Sequence, residues 1–179
     1  MFIGVKELEV QNVRFQLDVP AGEIEYDGKL TQASPLHATG TAQLLSGTLG
    51  EIRIRGQLEV TMSALCDRCL ETASVPVSKQ FDLVYMPSDE GESNGEAEIE
   101  EAGIEVGYYE GAGLTLNEVL REVVLLALPM QVVCSEACKG ICPACGQNRN
   151  QRDCGCHPEP LDDRWSKLKS FRAEAGPQN

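Results

Sequence analysis

The sequence predicts an α+β fold, in which an antiparallel β-sheet or partly open barrel carries one buried helix and a cysteine-rich C-terminal segment. Three observations lead to this prediction. Apolar and polar residues alternate over residues 52–64, an apolar helical pattern covers 115–128, and six of the eight cysteines lie within 134–156. We therefore divide the chain into a mainly β domain at 1–133 and a cysteine-rich segment with an amphipathic tail at 134–179.

A long hairpin is the clearest predicted element. Apolar residues fill the even positions from Ile52 to Ala64, and polar residues fill the odd ones, which is typical of a strand with one buried face. The apolar row resumes on odd positions from Val75 to Tyr85. Two such runs separated by a short connection predict an antiparallel hairpin. Gly56 interrupts the first apolar row and predicts a bulge or kink there.

Shorter patterns predict the remaining elements. Alternation over 13–19 indicates a half-buried strand, and further strands are expected at 23–30 and 38–46. Residues 88–110 contain nine acidic residues and no Lys or Arg, which indicates an acidic loop with a short strand at its far end. The helix at 115–128 begins with the Thr and Glu spacing of a capping box and is apolar on most sides, as a buried helix is.

Composition narrows the possible functions. The formal net charge is −13 and the isoelectric point about 4.5, so the whole chain is not a generic phosphate binder. No apolar run approaches the roughly 20 residues that a membrane helix needs. The first residues lack the layout of a signal peptide, which predicts a cytoplasmic protein in a reducing compartment.

The cysteines predict metal binding. The CPACG stretch at 142–146 has the form of a zinc knuckle, in which a tight turn directs two thiolates at one ion. Zn²⁺ prefers four tetrahedral ligands, and the nearest further pair completes one predicted site. That site consists of Cys142, Cys145, Cys154 and Cys156. The remaining cysteines form a second predicted site, which consists of Cys66, Cys69, Cys134 and Cys138. The chain is therefore expected to bind one or two zinc ions.

Other uses of the cysteines stay open at this point. Thiolates alone do not select the metal, so an iron–sulfur cluster or a redox protein is the main alternative to structural zinc. A metal-storage or metal-sensing protein is a further possibility. His157 follows Cys156 directly and is an alternative ligand. A disulfide framework would need an oxidising compartment.

Several motifs in a fixed order resemble the YceD family, the large ribosomal RNA subunit accumulation proteins. They are CDRCLE at 66–71, F-x-L-x-Y at 81–85, LNEVLREVVLLALP at 116–129, C-x3-C-x-G-I-C-P-x-C-G-x-N-x-N at 134–150, C-x-C at 154–156 and D-R-W-x-x-L-K at 163–169. The likeness extends from about residue 50 onward. Arg149 departs from the family pattern, which more often has Leu in its N-L-N, and adds local positive charge.

The resemblance implies a non-enzymatic role in accumulation of large-subunit ribosomal RNA and in ribosome assembly. No nucleophile–base pair, phosphate loop or nucleotide fingerprint is present in the sequence, so neither an enzyme nor a small-molecule substrate is expected. The expected partner is ribosomal RNA or a basic ribosomal protein. The C-terminal segment is locally basic, which makes Arg149, Arg152 and Lys169 the candidate contact residues.

Overall fold

The computed structural model describes residues 1–48, 50–88 and 105–156, and these form two compact units. Unit 1 is Met1–Cys66 with Glu71–Cys134, and unit 2 is Asp67–Leu70 with Ser135–Asn179. All the helices and strands of the described residues lie in unit 1. In chain order they are β1 (Phe2–Gly4), α1 (Val5–Leu8), β2 (Val13–Val19), β3 (Thr31–Gln32), β4 (Leu36–Leu44), β5 (Ile52–Leu65), β6 (Thr72–Pro87), β7 (Glu105–Tyr109), β8 (Gly113–Thr115) and α2 (Leu116–Ala127).

The main sheet is mixed and open. Its strands follow the order β2-β4-β5-β6-β7, and β3 pairs with β5. Every pair is antiparallel except β6 with β7, which is parallel. The predicted antiparallel sheet is therefore wrong at this edge, and the described strands do not close into a barrel. Alternation marks a buried face but carries no information about strand direction, so the sequence pattern did not reveal the parallel pair.

The predicted hairpin is present as β5 and β6. Their register is continuous from Ile52 opposite Tyr85 to Leu65 opposite Thr72. The strand predicted at 13–19 is β2, and that predicted at 38–46 is β4, shifted by two residues. The strand predicted at 23–30 is wrong, because these residues form bends and a turn at Gly28, whose φ is 71°. Asp27-Gly28 is a typical turn sequence and lies inside the predicted strand, so the chain turns there and does not extend.

Gly56 does not form the predicted bulge. The β5–β6 register passes through it without interruption, and Gly56 pairs with Gly40 on β4 and with Phe81 on β6. Phe15 on β2 pairs with Gly40 in turn. Both phenylalanine side chains are buried, and their rings occupy the space next to the two glycines. These glycines thus permit aromatic rings to lie close over the backbone of the central strands.

Helix α2 supplies one side of the hydrophobic core. Its buried positions follow helical spacing and are Leu116, Val119, Leu120, Val123 and Val124. Thr115 is the N-cap residue, but its side chain makes no capping hydrogen bond, so the predicted capping box is not formed. Pro129 follows the helix and cannot donate a backbone hydrogen bond. Across the described residues, helices are too short or too polar to cross a membrane.

A charged cluster ties β5 to β6 on the solvent side. The Arg53 guanidinium donates two hydrogen bonds to Asp82, at 2.7 and 2.8 Å, and Arg55 donates a third at 2.9 Å. The hydrogen bond from Arg53 is the main reason that the pKa of Asp82 lies below its usual range. Because the folded-state pKa is depressed, this carboxylate stabilises the fold above the unfolded pKa of about 4 and loses that effect as the pH falls.

We expect Asp82→Asn to lower the free energy of unfolding by about 1 kcal/mol at pH 7, a modest value because the cluster is partly exposed to solvent. The difference from the unsubstituted protein should shrink below about pH 4, where this carboxyl takes up a proton first in the unfolded chain and, at still lower pH, in the folded protein. Urea denaturation followed by circular dichroism at pH 7 and pH 3 measures both values. Glu59→Gln, at an exposed position on β5, is the control. An equal loss at both pH values would contradict the electrostatic explanation.

Candidate metal centre

The eight cysteines lie in the described residues and form two groups of four. In the first cysteine group the sulfur atoms of Cys66, Cys69, Cys134 and Cys138 all lie within 4.8 Å of one another. The second cysteine group brings together, within the same limit, the sulfur atoms of Cys142, Cys145, Cys154 and Cys156. Spacing in the sequence predicted the second cysteine group, the first was predicted as the cysteines that remained, and the sulfur atoms group in the same way. The structure records all eight as thiols rather than disulfides.

A tight turn builds the first half of the second cysteine group. The Cys142 backbone N–H donates to the carbonyl of Gln147 at 2.8 Å, and the Gly146 N–H donates back to the carbonyl of Cys142 at 2.8 Å. Gly146 has a φ of 73°, a conformation that glycine adopts without steric cost. The turn therefore presents the sulfurs of Cys142 and Cys145 on the same side, as the CPxCG motif predicts.

Within unit 2, the turn at residues 67–70 packs against the chain that leads into the CPxCG turn. The carbonyl of Arg68 accepts a hydrogen bond from the Ile141 N–H at 2.9 Å. A Cβ atom at Gly140 would lie only 2.9 Å from this carbonyl oxygen, so the close approach requires glycine. The Arg68 guanidinium also donates to the carbonyl oxygens of Glu136 and Cys138, at 3.3 and 3.4 Å.

The thiols of the second cysteine group interact strongly with one another. The backbone N–H of Cys145, followed by that of Ala144, stabilises the Cys142 thiolate and lowers its pKa to about 6. Hydrogen bonding to Cys145 and then to Cys154 keeps the proton on Cys156 and raises its pKa to about 12. Crowded sulfurs of this kind resist holding several negative charges together, and a shared cation would relieve that repulsion.

The burial pattern of unit 2 also fits a metal. In the described part of unit 2 the buried residues are Cys69, Cys138, Gly140 and Cys142. No Leu, Ile, Val or aromatic side chain is buried there, so apolar burial cannot hold these residues in place. Four thiolates at the corners of a tetrahedron around Zn²⁺ would be about 3.8 Å apart, given the usual Zn–S distance. The observed grouping of the sulfurs is compatible with that spacing.

Two of the three residues predicted to contact RNA or a ribosomal protein lie in the part of the chain that the structure describes. Arg149 and Arg152 are exposed on unit 2, and the Arg149 backbone N–H donates to the carbonyl of Gly140 at 2.9 Å. Lys169, like His157 and the predicted amphipathic tail, lies outside the described residues. Sequence reasoning missed Asn150, whose side-chain amide contacts a cysteine sulfur. Its place in the N-x-N that follows the CPxCG motif was the available signal.

The fold and the cysteine geometry define a class of small protein, namely a mixed β-sheet unit combined with a cysteine-rich unit that could hold metal ions. The chain belongs to the YceD family. The family described as "Large ribosomal RNA subunit accumulation protein YceD" matches residues 54–172. The family name implies a role in accumulation of large-subunit ribosomal RNA.

A curated relative agrees with this assignment. The chain is 33% identical over 61 residues to the "Large ribosomal RNA subunit accumulation protein YCED homolog 1, chloroplastic" of Arabidopsis thaliana. The match covers 34% of this chain and 19% of the relative, so the chain spans about a fifth of that protein's length. No solved structure matches the chain.

Proposed function

We propose that this protein is a non-enzymatic factor in assembly of the large ribosomal subunit, which acts by binding a basic ribosomal protein. The family name supports the process, and the charge on the two units supports the partner. A structural role for metal in unit 2 is part of the proposal. The observation that carries the choice of partner is an acidic, aromatic cleft on unit 1.

Zinc is the metal that the donor set fits best. All-thiolate groups of four suit Zn²⁺, and the first and second cysteine groups would each hold one ion. Bound zinc would supply the folding energy that the described part of unit 2 does not obtain from buried apolar side chains. No catalytic step is assigned to it, because four sulfur ligands leave no open coordination position.

The charge balance of unit 2 disfavours RNA as the main partner. Its described residues include four basic side chains against three acidic ones, which are Arg68, Lys139, Arg149 and Arg152 against Asp67, Glu136 and Asp153. A zinc ion with four thiolates adds a charge of about −2. The described part of unit 2 then carries net negative charge, and phosphate contacts would depend on individual arginines.

The cleft on unit 1 favours a cationic partner. Three carboxylates line it, from Glu110, Glu118 and Glu122, and its lining contains no Lys or Arg. The aromatic side chains of Phe2 and Tyr108 line the same cleft and are 56% and 67% exposed. Carboxylates and aromatic faces together suit a Lys or Arg side chain, which gains both ion pairing and cation–π attraction.

One of these carboxylates is held in place. The Tyr85 hydroxyl donates a hydrogen bond to Glu122 Oε2 at 2.7 Å. Glu118 lies one helical turn before Glu122 on α2, where two like charges disfavour the isolated helix. A bound cation would relieve that repulsion, so binding gains energy that the free protein lacks.

We expect the triple substitution Glu110→Gln, Glu118→Gln and Glu122→Gln to weaken binding of a basic ribosomal protein by about tenfold or more, because it removes the charge of the cleft. Gln at position 122 retains an oxygen that can accept the Tyr85 hydrogen bond. The measurement is calorimetric titration of the full chain with a panel of purified large-subunit ribosomal proteins.

The control removes the same number of charges elsewhere, at the exposed positions Glu7, Glu9 and Glu59.

The second candidate is ribosomal RNA, supported by the exposed arginines of unit 2. Arg149→Glu with Arg152→Glu should abolish salt-sensitive binding to large-subunit RNA fragments if that candidate is correct. Unchanged protein binding in the cleft variant, together with lost RNA binding in the arginine variant, would reverse our choice of partner.

A further inference from the structure

Asn150 lies between the two ligand pairs of the second cysteine group, in residues 146–153, yet its side chain contacts the first cysteine group. Its Nδ2 atom is 3.3 Å from Cys138 Sγ. Its Oδ1 atom accepts a hydrogen bond from the Lys139 backbone N–H at 2.8 Å. Its own backbone N–H donates to Asn148 Oδ1 at 2.9 Å. The side chain is therefore held at both ends of its amide.

These contacts fix the orientation of the amide. A backbone N–H can only donate, so the Asn150 atom that faces Lys139 must be the oxygen. The amide nitrogen then faces Cys138 and donates an N–H to its sulfur. A hydrogen bond to a thiolate ligand disperses part of its negative charge and fixes its direction, as partners of metal ligands do elsewhere.

The segment that carries Asn150 runs between Cys145 and Cys154, which both belong to the second cysteine group. Between those ends, the Arg149 N–H donates to the Gly140 carbonyl at 2.9 Å, and Asn148 forms a β-bridge with Ile141. A metal bound by the second cysteine group would close this segment into a short loop and reduce its conformational freedom. Asn150 would then already be placed against Cys138.

We propose that Asn150 is a positioning residue for the first cysteine group and that it couples metal binding at the two groups. This inference rests on the proposed binding of metal at both groups. Metal in the second cysteine group orders the segment, and the ordered Asn150 strengthens the Cys138 ligand. Coupling between two sites is reciprocal, so metal in the first group favours binding at the second by the same factor.

The test compares zinc release from the full chain to a chromogenic chelator. The release phase that persists in the Cys142→Ser, Cys145→Ser variant belongs to the first cysteine group. We expect Asn150→Ala to speed this phase by about tenfold in the otherwise unsubstituted chain. Asn150→Asp should speed it further, because a carboxylate there repels the thiolate. A purely structural role would give the opposite order, since Asp is closer to Asn in shape.

The combined variant tests the coupling. When the second cysteine group is broken, Asn150 is no longer held in place, so adding Asn150→Ala to Cys142→Ser, Cys145→Ser should change release little further. If the two changes instead multiplied each other's effect on the zinc release rate, they would act independently, and the coupling would be disproved. Gln147→Ala is the matched control, because it removes an amide side chain from the same segment.

Two further results would overturn the proposal in different ways. If the unsubstituted protein holds two zinc ions and Asn150→Ala releases them at the same rate, only the role of Asn150 fails. If the freshly purified protein holds no metal, the proposed metal centre fails together with the coupling. Metal content, measured by elemental analysis before any kinetic experiment, separates these two outcomes.

Discussion

The double substitution Cys142→Ser, Cys145→Ser is expected to reduce the zinc content from about two ions per chain to about one and to unfold the segment around residues 142–156. The described part of unit 2 has no buried Leu, Ile, Val or aromatic side chain to hold it without metal. A structural zinc site contributes on the order of 10 kcal/mol to the folding of the segment that binds it. Elemental analysis gives the metal content, and limited proteolysis shows whether the segment has unfolded.

The control is Ala137→Ser with Ala144→Ser, which adds one hydroxyl group at an exposed position between two cysteines of each group and removes no sulfur. It should retain both metal ions and resist proteolysis. Unchanged zinc content in the Cys142→Ser, Cys145→Ser variant would show that these thiols are not ligands. Brown protein that contains iron would support the iron–sulfur alternative instead.

Gly56→Ala is expected to lower the free energy of unfolding of unit 1 by about 3 kcal/mol, a large effect for one methyl group. A Cβ atom at this position would lie 2.4 Å from the backbone oxygen of Thr39 and 2.8 Å from the ring of Phe81. The ring can move, but the carbonyl belongs to the neighbouring strand and can move only if the β4–β5 pairing changes. Chemical denaturation followed by circular dichroism measures the loss.

Gly4→Ala provides the comparison for this effect. A Cβ at Gly4 would meet no atom closer than 3.6 Å, and its φ of −87° suits alanine. This variant should be close to the unsubstituted protein in stability. If the two alanine variants were equally stable, the close approach of the Thr39 carbonyl to Gly56 would not restrict the residue at this position.

Much of unit 1 could be predicted because its main strands are long. Seven residues of alternation were enough for β2, and the β5–β6 hairpin repeats its pattern over two long strands. The strands β1 and β8 have three residues each, too few to show a period, and they pair across more than a hundred residues of the chain. The position of the Phe81 ring next to Gly56 depends on the register between β5 and β6. The residue pattern of one strand does not reveal its register with the next.

The candidate site was predictable to the extent that chain spacing determines it. Cysteines separated by two or three residues can reach one point through a single turn, so the local pairs followed from spacing. The joining of Cys66 and Cys69 with Cys134 and Cys138 followed only because these four remained. The contact of Asn150 with Cys138 requires a segment to fold back over twelve positions. The acidic cleft likewise combines residues of β1, β7 and α2, which lie far apart in the sequence. Such contacts depend on tertiary structure and leave no local pattern.

The parallel pairing of β6 with β7 sets a minimum length for the acidic stretch that separates them. Two antiparallel neighbours can be joined by a two-residue turn, but parallel neighbours require the chain to travel back along the full pairing, which takes about a dozen residues. Leu83 pairs with Glu105 and Pro87 with Tyr109, so the connection must return from the end of one strand to the start of the other. A longer connection would therefore leave this pairing intact, whereas shortening it to a tight turn would force β7 out of the sheet.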